Sequence, residues 1–347
     1  MEQSRIAVIG GDGIGPEVVE AGIRVLEAAN DAAERLSFTR FAWGCEYYLE
    51  HGRMMAENGL DTLAGFDAIY LGAVGWPTVP DHVSLWGLLI PIRRGFDQYV
   101  NLRPARLLRG VESPLAKPGS LDVTVVRENT EGEYSDSGGR LFSGTPHEIA
   151  VQYSVFTRRG VERILRYAFE EAKERRGLLT GATKSNGISI TMPFFDEIFR
   201  EVGEEYPDVE ASLMHADALA ARLVLDPERF DVVVGSNLLG DILSEITAAV
   251  SGAIGIAPSA NLNPERKYPS LFEPIHGSAP DIAGEGVANP AGAIWAGALM
   301  LEHFGHPELG QRVLRALEET LDAGTKTRDL GGSSTTEEVT GAVIGRL

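Results

Sequence analysis

Short apolar runs of strand length alternate with longer amphipathic segments along most of this chain. The first pair is the run Arg5–Gly10 and the segment Pro16–Arg35, in which Val18, Val19 and Ile23 recur on one helical face. Because each crossover helix returns the chain to the same sheet, the alternation predicts an α/β fold with a largely parallel sheet. A chain of 347 residues is too long for one simple core, so we expect two domains or one large α/β unit.

The alternation is interrupted in the middle of the chain. Three strand-like runs follow one another there through glycine-rich loops: Asn101–Leu107, Val123–Glu128 and Glu148–Phe156. Consecutive strands without a crossover helix favour antiparallel pairing, so this region is predicted to form an antiparallel insertion or a projecting arm. Alternation resumes at the predicted helix Arg158–Arg176. The predicted helix Asp241–Ser251 precedes a long loop with two polar stretches, Ser259–Lys267 and Glu273–Asn289.

A glycine-rich turn, GGDGIGPE, joins the first strand-like run to the first helix. A Rossmann dinucleotide fingerprint requires G-x-G-x-x-G and an acidic residue at the end of the second strand. The glycines of this turn fit no such placement, and the second strand-like run, Phe38–Gly44, does not end in an acid. The turn therefore does not predict a Rossmann site, and any nucleotide is expected to bind elsewhere.

Composition argues against several other classes of protein. Cys45 is the only cysteine, which excludes disulfides and multi-cysteine metal sites and favours the cytoplasm. The seven histidines show no HExxH spacing, and a formal net charge of −19 argues against nucleic acid as a partner. No apolar run reaches the roughly 18 residues of a membrane span. No signal segment precedes the first strand-like run, so we expect neither membrane insertion nor export.

Charged residues are gathered in segments whose folding does not require them. Arg93, Arg103 and Arg127 have the chemistry of a bidentate clamp for carboxylates. Lys184 directly follows a strand-like run, a common position for a functional residue in open α/β sheets. Three acids in helical segments offer only oxygen ligands, which suit Mg²⁺ or Mn²⁺ rather than Zn²⁺. These acids are Asp217, Asp241 and Glu245. Singly, each of these residues is typical of a solvated surface; together they indicate a site.

Seven motifs, in their order and spacing, resemble the metal-dependent β-decarboxylating dehydrogenases of isocitrate, 3-isopropylmalate and malate or tartrate. They are GDGIGPE, IRRGFDQYVNLRP, RENTEGEY, TKSN, HADALAARLV, GDILSE and LFEPIHGSAPDIAGEGVANP. The resemblance implies an isopropylmalate-dehydrogenase-like α/β fold of two domains, with a parallel or mixed non-Rossmann sheet and an arm at the dimer interface. It assigns 1–100 and 257–347 to a large cofactor-binding domain. It assigns 101–256 to a small domain with the dimerisation helices and the arm.

The same resemblance implies that NAD binds without a Rossmann turn. Its adenosine end is expected against the loop HGSAPDIAG, where Asp281 occupies the position of an acid that contacts the ribose hydroxyls. An aspartate there repels a 2′-phosphate, so NAD is favoured over NADP. Asn186 is expected at the nicotinamide end. The remaining implied cofactor contacts are Ala73, Glu273, His276, Gly277, Ser278, Ala279, Pro280 and Asn289.

For the reaction, the resemblance assigns the two substrate carboxylates to the three arginines and the divalent ion to the three acids named above. Tyr134 and Lys184 are the implied proton-transfer pair, with Asp217 as a further catalytic residue. Lys184 and Asp217 are expected to enter the site from a second subunit, which implies an obligate homodimer. The chain departs from the family at Glu245, where aspartate is usual, and the extra methylene changes the ligand distance.

Two stretches, GWPTVPDHVSLWGLL and PSANLNPERKYPSLFEP, most resemble the D-malate and tartrate dehydrogenase branch. In the first, Trp86 and Leu89 are expected beside substrate C3, although Trp86 is equally typical of a packed helix residue. The resemblance implies NAD-dependent oxidative decarboxylation of a small (R)-2-hydroxy diacid, D-malate to pyruvate and CO₂, with tartrate as a further substrate. The alternatives are a 3-isopropylmalate dehydrogenase and a catalytically weak NAD-binding paralogue.

Overall fold

The computed structural model describes residues 3–29, 35–252 and 254–347. In chain order its strands are β1 (Gln3–Gly11), β2 (Arg35–Phe41), β3 (Ala68–Ala73), β4 (Val100–Arg106), β5 (Asp122–Glu128), β6 (Gly138–Leu141), β7 (Ile149–Gln152), β8 (Leu178–Thr183), β9 (Glu210–His215), β10 (Val232–Gly235), β11 (Pro258–Leu262) and β12 (Ser270–Pro274).

The helices are α1 (Gly15–Ala29), α2 (Cys45–His51), α3 (Gly59–Leu63), α4 (Asp81–Ser84), α5 (Ile90–Gly95), α6 (Arg158–Glu174), α7 (Thr191–Gly203), α8 (Ala216–Leu225), α9 (Asn237–Val250), α10 (Ala291–His303), α11 (Pro307–Asp322) and α12 (Thr336–Ile344). A π-helical turn, Leu85–Leu89, connects α4 to α5. Short 3₁₀ turns lie at Pro227–Arg229, Ile254–Ile256 and Arg328–Leu330. None of the helices in the described part of the chain is both long and apolar enough to cross a lipid bilayer.

The chain divides into two compact units. The first comprises Met1–Gln98, Arg106–Lys117 and Ala248–Leu347, and the second comprises Tyr99–Ala105 and Pro118–Thr247. Each unit therefore contains segments that are distant in the sequence, and the chain passes between the units more than once.

In the first unit the strand order is β2-β1-β3-β12-β11. The first four strands run parallel, and β11 runs antiparallel to β12. Helix α1 packs against α10, and α10 packs against α11. Nearly every residue of α10 from Ala291 to Leu301 is buried, which fits a helix whose sequence is apolar on all faces.

In the second unit the strand order is β4-β5-β10-β8-β9, and β5, β10, β8 and β9 run parallel. Val123, Val125 and Val233 of the sheet form a buried core with Leu219 and Leu223 of α8. Parallel strands bring their carboxyl ends to one edge of the sheet, which is where open α/β sheets form their sites. We therefore expect functional residues at the carboxyl ends of β5, β8 and β10.

The predicted antiparallel insertion is observed as the hairpin β6–β7. The two strands pair antiparallel in a sheet of their own, and all of their side chains are exposed. The strand-like run Glu148–Phe156 is shorter than predicted, with β7 limited to Ile149–Gln152 and a single bridge from Val155 to Gly132. The place of this hairpin at a dimer interface stays a prediction.

Two predicted boundaries were wrong. Helix α9 begins at Asn237, one turn before the predicted start at Asp241, although asparagine and glycine in that turn disfavour helix. The Glu133 carboxylate accepts the Leu238 N–H at 3.0 Å and so stabilises this early helix start. Helix α1 ends at Ala29, Arg35 begins β2, and the intervening 30–34 of the predicted helix lie outside the described residues.

The region predicted as a long loop contains β11 and β12. Their polar side chains are inside: Ser259 and Asn261 are buried, and Asn261 Nδ2 donates to Glu273 Oε1 at 2.7 Å. Both faces of these strands are buried, although serine, asparagine and glutamate in the sequence indicate an exposed loop. The buried polar side chains are stabilised by hydrogen bonds such as that from Asn261 to Glu273.

A buried acid, Asp231, fixes the end of α6 against the second unit's sheet. Its carboxylate is 0% exposed and accepts hydrogen bonds from Arg175 Nε at 2.9 Å and from the Arg176 backbone N–H at 2.8 Å. Arg175 also donates to Asp122 Oδ1 at 2.8 Å, at the start of β5. Because a buried carboxylate requires such partners, this guanidinium ties the helix to the strand that carries Arg127.

We expect Arg175→Met to lower the free energy of unfolding by about 2 kcal/mol, because the buried Asp231 carboxylate loses its closest guanidinium and keeps only the Arg176 N–H and the more distant Arg176 Nε, at 3.5 Å. Urea denaturation followed by circular dichroism measures the change. The control is Arg158→Met at the other end of α6, where the partners Glu162 and Glu201 are solvent-exposed and little change is expected. Equal losses in the two variants would contradict this account of Asp231.

Candidate active site

The Asp241 carboxylate lies at the centre of a polar cluster in the second unit. Arg103, on β4, donates from Nη1 to Asp241 Oδ1 at 3.1 Å. Arg127, on β5, donates to the same oxygen. The Tyr134 hydroxyl donates to the other oxygen, Oδ2, at 2.9 Å. One carboxylate therefore holds two guanidiniums and a phenol, of which Arg127 and Tyr134 come from the segment RENTEGEY and Arg103 comes from β4.

Helix α9 presents two further polar side chains beside Asp241. Arg103 Nη1 also donates to Ser244 Oγ at 2.8 Å and to Glu245 Oε1 at 3.3 Å. Residues three and four positions apart lie on one helical face, so these contacts converge on a single guanidinium. The early start of α9 places Asp241 within the helix rather than at its cap.

Arg127 is held from a second side by a residue that the sequence did not suggest, Asn237. The Arg127 side chain is 2% exposed, and its Nε and Nη2 donate to Asn237 Oδ1 at 3.2 and 2.7 Å. Asn237 in turn donates to the Glu131 carbonyl at 3.2 Å. These hydrogen bonds fix the plane of the Arg127 guanidinium. The sequence feature that could have indicated this role is a polar residue at the start of a helix, in SNLLGD.

The environment of the cluster keeps two of its acidic groups protonated to a higher pH. Burial, together with the Asp241 carboxylate, raises the pKa of the Tyr134 phenol. Burial also raises the pKa of the Glu245 carboxyl. Tyr134 therefore carries its proton at neutral pH, and its hydroxyl is available as a proton donor.

Lys184 and Asp217 form a second group in the same unit. Lys184 follows the end of β8, Asp217 lies in the first turn of α8, and Lys184 Nζ is 2.9 Å from Asp217 Oδ1. The pair is open to solvent, with the Asp217 side chain 68% exposed. The hydrogen bond from Lys184 lowers the pKa of Asp217, which therefore stays ionised.

The three predicted metal ligands are not brought together by the described residues of a single chain. Among those residues, no group of three His, Cys, Asp and Glu side chains is placed to hold one ion. Asp241 and Glu245 nevertheless offer carboxylate oxygens from one helical face, and Asp217 is an exposed, ionised carboxylate. This all-oxygen donor set fits Mg²⁺ or Mn²⁺.

In the first unit, Arg93 and Glu273 form a buried ion pair. Arg93 Nη2 donates to Glu273 Oε1 at 3.0 Å, and the side chains are 8% and 10% exposed. The Arg93 Nε is buried with no hydrogen-bond partner among the described residues. Glu273 also accepts a hydrogen bond from Asn261 Nδ2, and its expected contact with the cofactor stays a prediction.

Trp86 and Leu89 lie in the π-helical turn between α4 and α5. Trp86 is half-buried, and the Arg94 guanidinium lies over its ring, 5.0 Å from the centroid. Leu89 is also half-buried and packs against the first unit's apolar core. Single π turns are frequent at functional sites because they shift the direction of side chains along a helix.

The loop HGSAPDIAG combines a half-buried histidine with an exposed acid. His276 Nδ1 lies 3.0 Å from the Gly277 carbonyl, so that nitrogen carries the proton and Nε2 is an acceptor. Nε2 is buried without a partner among the described residues, and burial lowers the pKa of the imidazole. Asp281 is exposed, and Ala279 has a left-handed backbone with φ of 38°. An unpartnered acceptor and an exposed carboxylate in one loop fit a ligand rich in N–H and O–H groups.

The other predicted cofactor residues lie in varied surroundings. Asn186 and Pro280 are exposed. Ala73 ends β3, and its carbonyl accepts the Asp12 N–H at 2.7 Å. Asn289 donates to Asp329 Oδ2 at 2.8 Å and accepts the Ala291 N–H at 3.0 Å, at the start of α10. Sequence analysis did not suggest Asp12 or Asp329.

Comparison with known proteins identifies relatives along the whole chain. It is 58% identical to the D-malate dehydrogenase [decarboxylating] of Escherichia coli over 99% of this chain and 98% of that protein. It is 56% identical to the tartrate dehydrogenase/decarboxylase of Pseudomonas putida over 99% of this chain and 97% of that protein.

Solved structures and a family model agree with these relatives. The fold superposes on isocitrate dehydrogenase from Methylococcus capsulatus with a TM-score of 0.90 at 34% identity, covering 99% of each chain. The model for isocitrate/isopropylmalate dehydrogenase matches residues 5–343. The motifs singled out in the sequence lie within that match. The chain belongs to the isocitrate/isopropylmalate dehydrogenase family.

Proposed function

We propose that this chain is an NAD- and divalent-metal-dependent dehydrogenase that oxidatively decarboxylates a small (R)-2-hydroxy diacid. D-malate, converted to pyruvate and CO₂, is the principal substrate, and tartrate is a second one. The observation that carries the proposal is the Tyr134 hydroxyl bonded to Asp241 between the guanidiniums of Arg103 and Arg127. It supplies a proton donor, a carboxylate ligand and two anion-binding groups in one cluster.

The arginines bind the substrate carboxylates in this proposal. Arg103 retains a buried Nε with no hydrogen-bond partner among the described residues. A buried guanidinium N–H without an acceptor is costly, so it favours binding of an anion. Arg93 has an orphaned Nε of the same kind, and we assign it the same role. Bidentate binding by guanidinium selects carboxylates over neutral groups.

Lys184 removes the proton of the substrate 2-hydroxyl, and Tyr134 donates a proton to C3 after CO₂ is lost. Asp217, Asp241 and Glu245 hold the divalent ion, which when bound acidifies the 2-hydroxyl and polarises the 2-oxo group. The loop His276–Gly284 would hold NAD, which would supply the acceptor for the hydride of C2. The raised pKa of Tyr134 keeps its proton available for the last step.

The loop His276–Gly284 binds the adenosine end of NAD in this proposal. The orphaned Nε2 of His276 accepts a hydrogen bond from the cofactor, and Asp281 accepts the ribose hydroxyls. We further propose that two chains form a homodimer in the cytoplasm, with Lys184 and Asp217 completing the partner's site. The solvent-open position of that pair supports this arrangement.

The test is NADH formation in the presence of Mn²⁺ or Mg²⁺ with a panel of acids: D-malate, L-malate, each tartrate and 3-isopropylmalate. Turnover of D-malate or a tartrate is expected, and EDTA should abolish it because the carboxylate trio alone cannot polarise the hydroxyl. Activity confined to 3-isopropylmalate would contradict the substrate assignment and the role of Trp86. Silence on every acid while NAD still binds would identify a weakly catalytic paralogue.

Asp281 is expected to set the choice between NAD and NADP. Asp281→Ala should lower the ratio of kcat/KM for NAD to that for NADP by about tenfold, because the carboxylate no longer repels the 2′-phosphate. Steady-state kinetics with each cofactor measure the ratio. The matched control is Glu285→Ala, which removes an exposed acid from nearby along the chain. If both variants lowered the ratio equally, the preference for NAD would come from the overall negative charge of this region and not from Asp281 itself.

A further inference from the structure

We infer that the turn Gly11–Gly15 supports the cofactor loop His276–Gly284, and that Gly13 is a positioning residue for NAD. The inference rests on the proposed NAD role of that loop. The turn resembles a phosphate-binding loop in composition, but its contacts give it a different task. The missing side chain of Gly13 lets the backbone of Ser278 approach, and this contact fixes the position of the loop.

Three backbone N–H groups of the turn make hydrogen bonds within the protein. The Asp12 N–H donates to the Ala73 carbonyl at 2.7 Å, and the Ile14 N–H donates to the Ser278 carbonyl at 2.8 Å. The Gly15 N–H donates to the Asp12 carbonyl at 2.9 Å. A phosphate-binding turn keeps such groups directed at its ligand. Here the N–H groups of Asp12 and Ile14 instead bind the carbonyls of Ala73 and Ser278, two residues that we propose to contact NAD.

Gly13 is sterically required at this contact. A Cβ at this position would lie 1.9 Å from the Ser278 carbonyl oxygen and 2.8 Å from its carbon. Both are backbone atoms, so no side-chain rotation relieves the overlap, and the loop or the turn must shift. The Gly13 φ of 58° adds the cost of a left-handed conformation for any other residue.

A shift at Ser278 is transmitted along the loop. The next residue, Ala279, already has a left-handed φ of 38°, and its carbonyl accepts the Ile282 N–H at 3.2 Å in a tight turn. Asp281 lies inside that turn. A displaced Ser278 therefore moves the carboxylate that we propose to bind the adenosine ribose, because the strained backbone has few alternative conformations.

Asp12 anchors the other side of the turn. Its Oδ1 accepts the Cys45 N–H at 2.7 Å and its Oδ2 accepts the Gly75 N–H at 2.9 Å. The side chain is buried, and Gly75 is two residues beyond Ala73. Asp12→Asn keeps the size of the side chain but replaces one acceptor by a donor, so it loosens this anchor without adding an atom.

The experiment is calorimetric titration of the purified full-length protein with NADH, without substrate. Gly13→Ala is expected to raise the Kd for NADH by roughly tenfold to a hundredfold, because the loop is displaced from its binding position. The control is Gly52→Ala, which has a φ of 70° and no atom within 4 Å of a built Cβ. It carries the same backbone strain without the overlap, so its Kd should stay within about twofold of wild type.

A Gly13→Ala protein that folds and binds NADH as wild type does would overturn the inference. Circular dichroism of the ligand-free proteins establishes folding. If Gly13→Ala does not fold, Asp12→Asn is decisive: a raised Kd supports the inference and an unchanged Kd contradicts it. A wild-type chain that binds no NADH would instead contradict the proposed function, and this inference with it.

Discussion

The polar interior of the second unit depends on the ion pairs that Asp241 forms with Arg103 and Arg127. Arg127 is almost completely buried, and a buried guanidinium is tolerated only when it is paired and hydrogen-bonded. Asp241 supplies that pairing, and the same carboxylate also fixes Arg103 and the Tyr134 hydroxyl. The position of α9 therefore determines where the proton donor and the anion-binding groups lie.

Several hydrogen bonds keep α9 in place, and they come from the segment RENTEGEY, which also includes Arg127. Glu133 accepts the Ser236 hydroxyl at 2.8 Å and the Leu238 N–H at 3.0 Å, at the start of the helix. Tyr134, the next residue, reaches the same helix one turn later through Asp241. The loop is thus attached to α9 through Glu131, Glu133 and Tyr134, which reduces the conformational freedom of the phenol.

Much of this could be predicted from the sequence, and the exceptions share a physical cause. The α/β class and the family, predicted from alternation and from the motifs, are confirmed. Strands β11 and β12 were missed because their polar residues indicate an exposed loop, whereas the structure buries them and pairs them with each other. Asn237 and Asp12 were missed because their roles depend on contacts between segments far apart in the chain. The start of α9 was missed because a carboxylate from another segment outweighs local propensity.

We propose that the Asp241 cluster of one chain and the Lys184–Asp217 pair of another form one active site. Subunit complementation tests it most directly: Tyr134→Phe and Lys184→Met homodimers, each expected to be inactive, are dissociated, mixed and reassociated. A site shared between subunits gives mixed dimers with one intact site, and the mixture should recover about a quarter of wild-type turnover of D-malate. A mixture as inactive as its parents, with mixed dimers demonstrated by mass spectrometry, would contradict the claim and place all the catalytic groups within one chain.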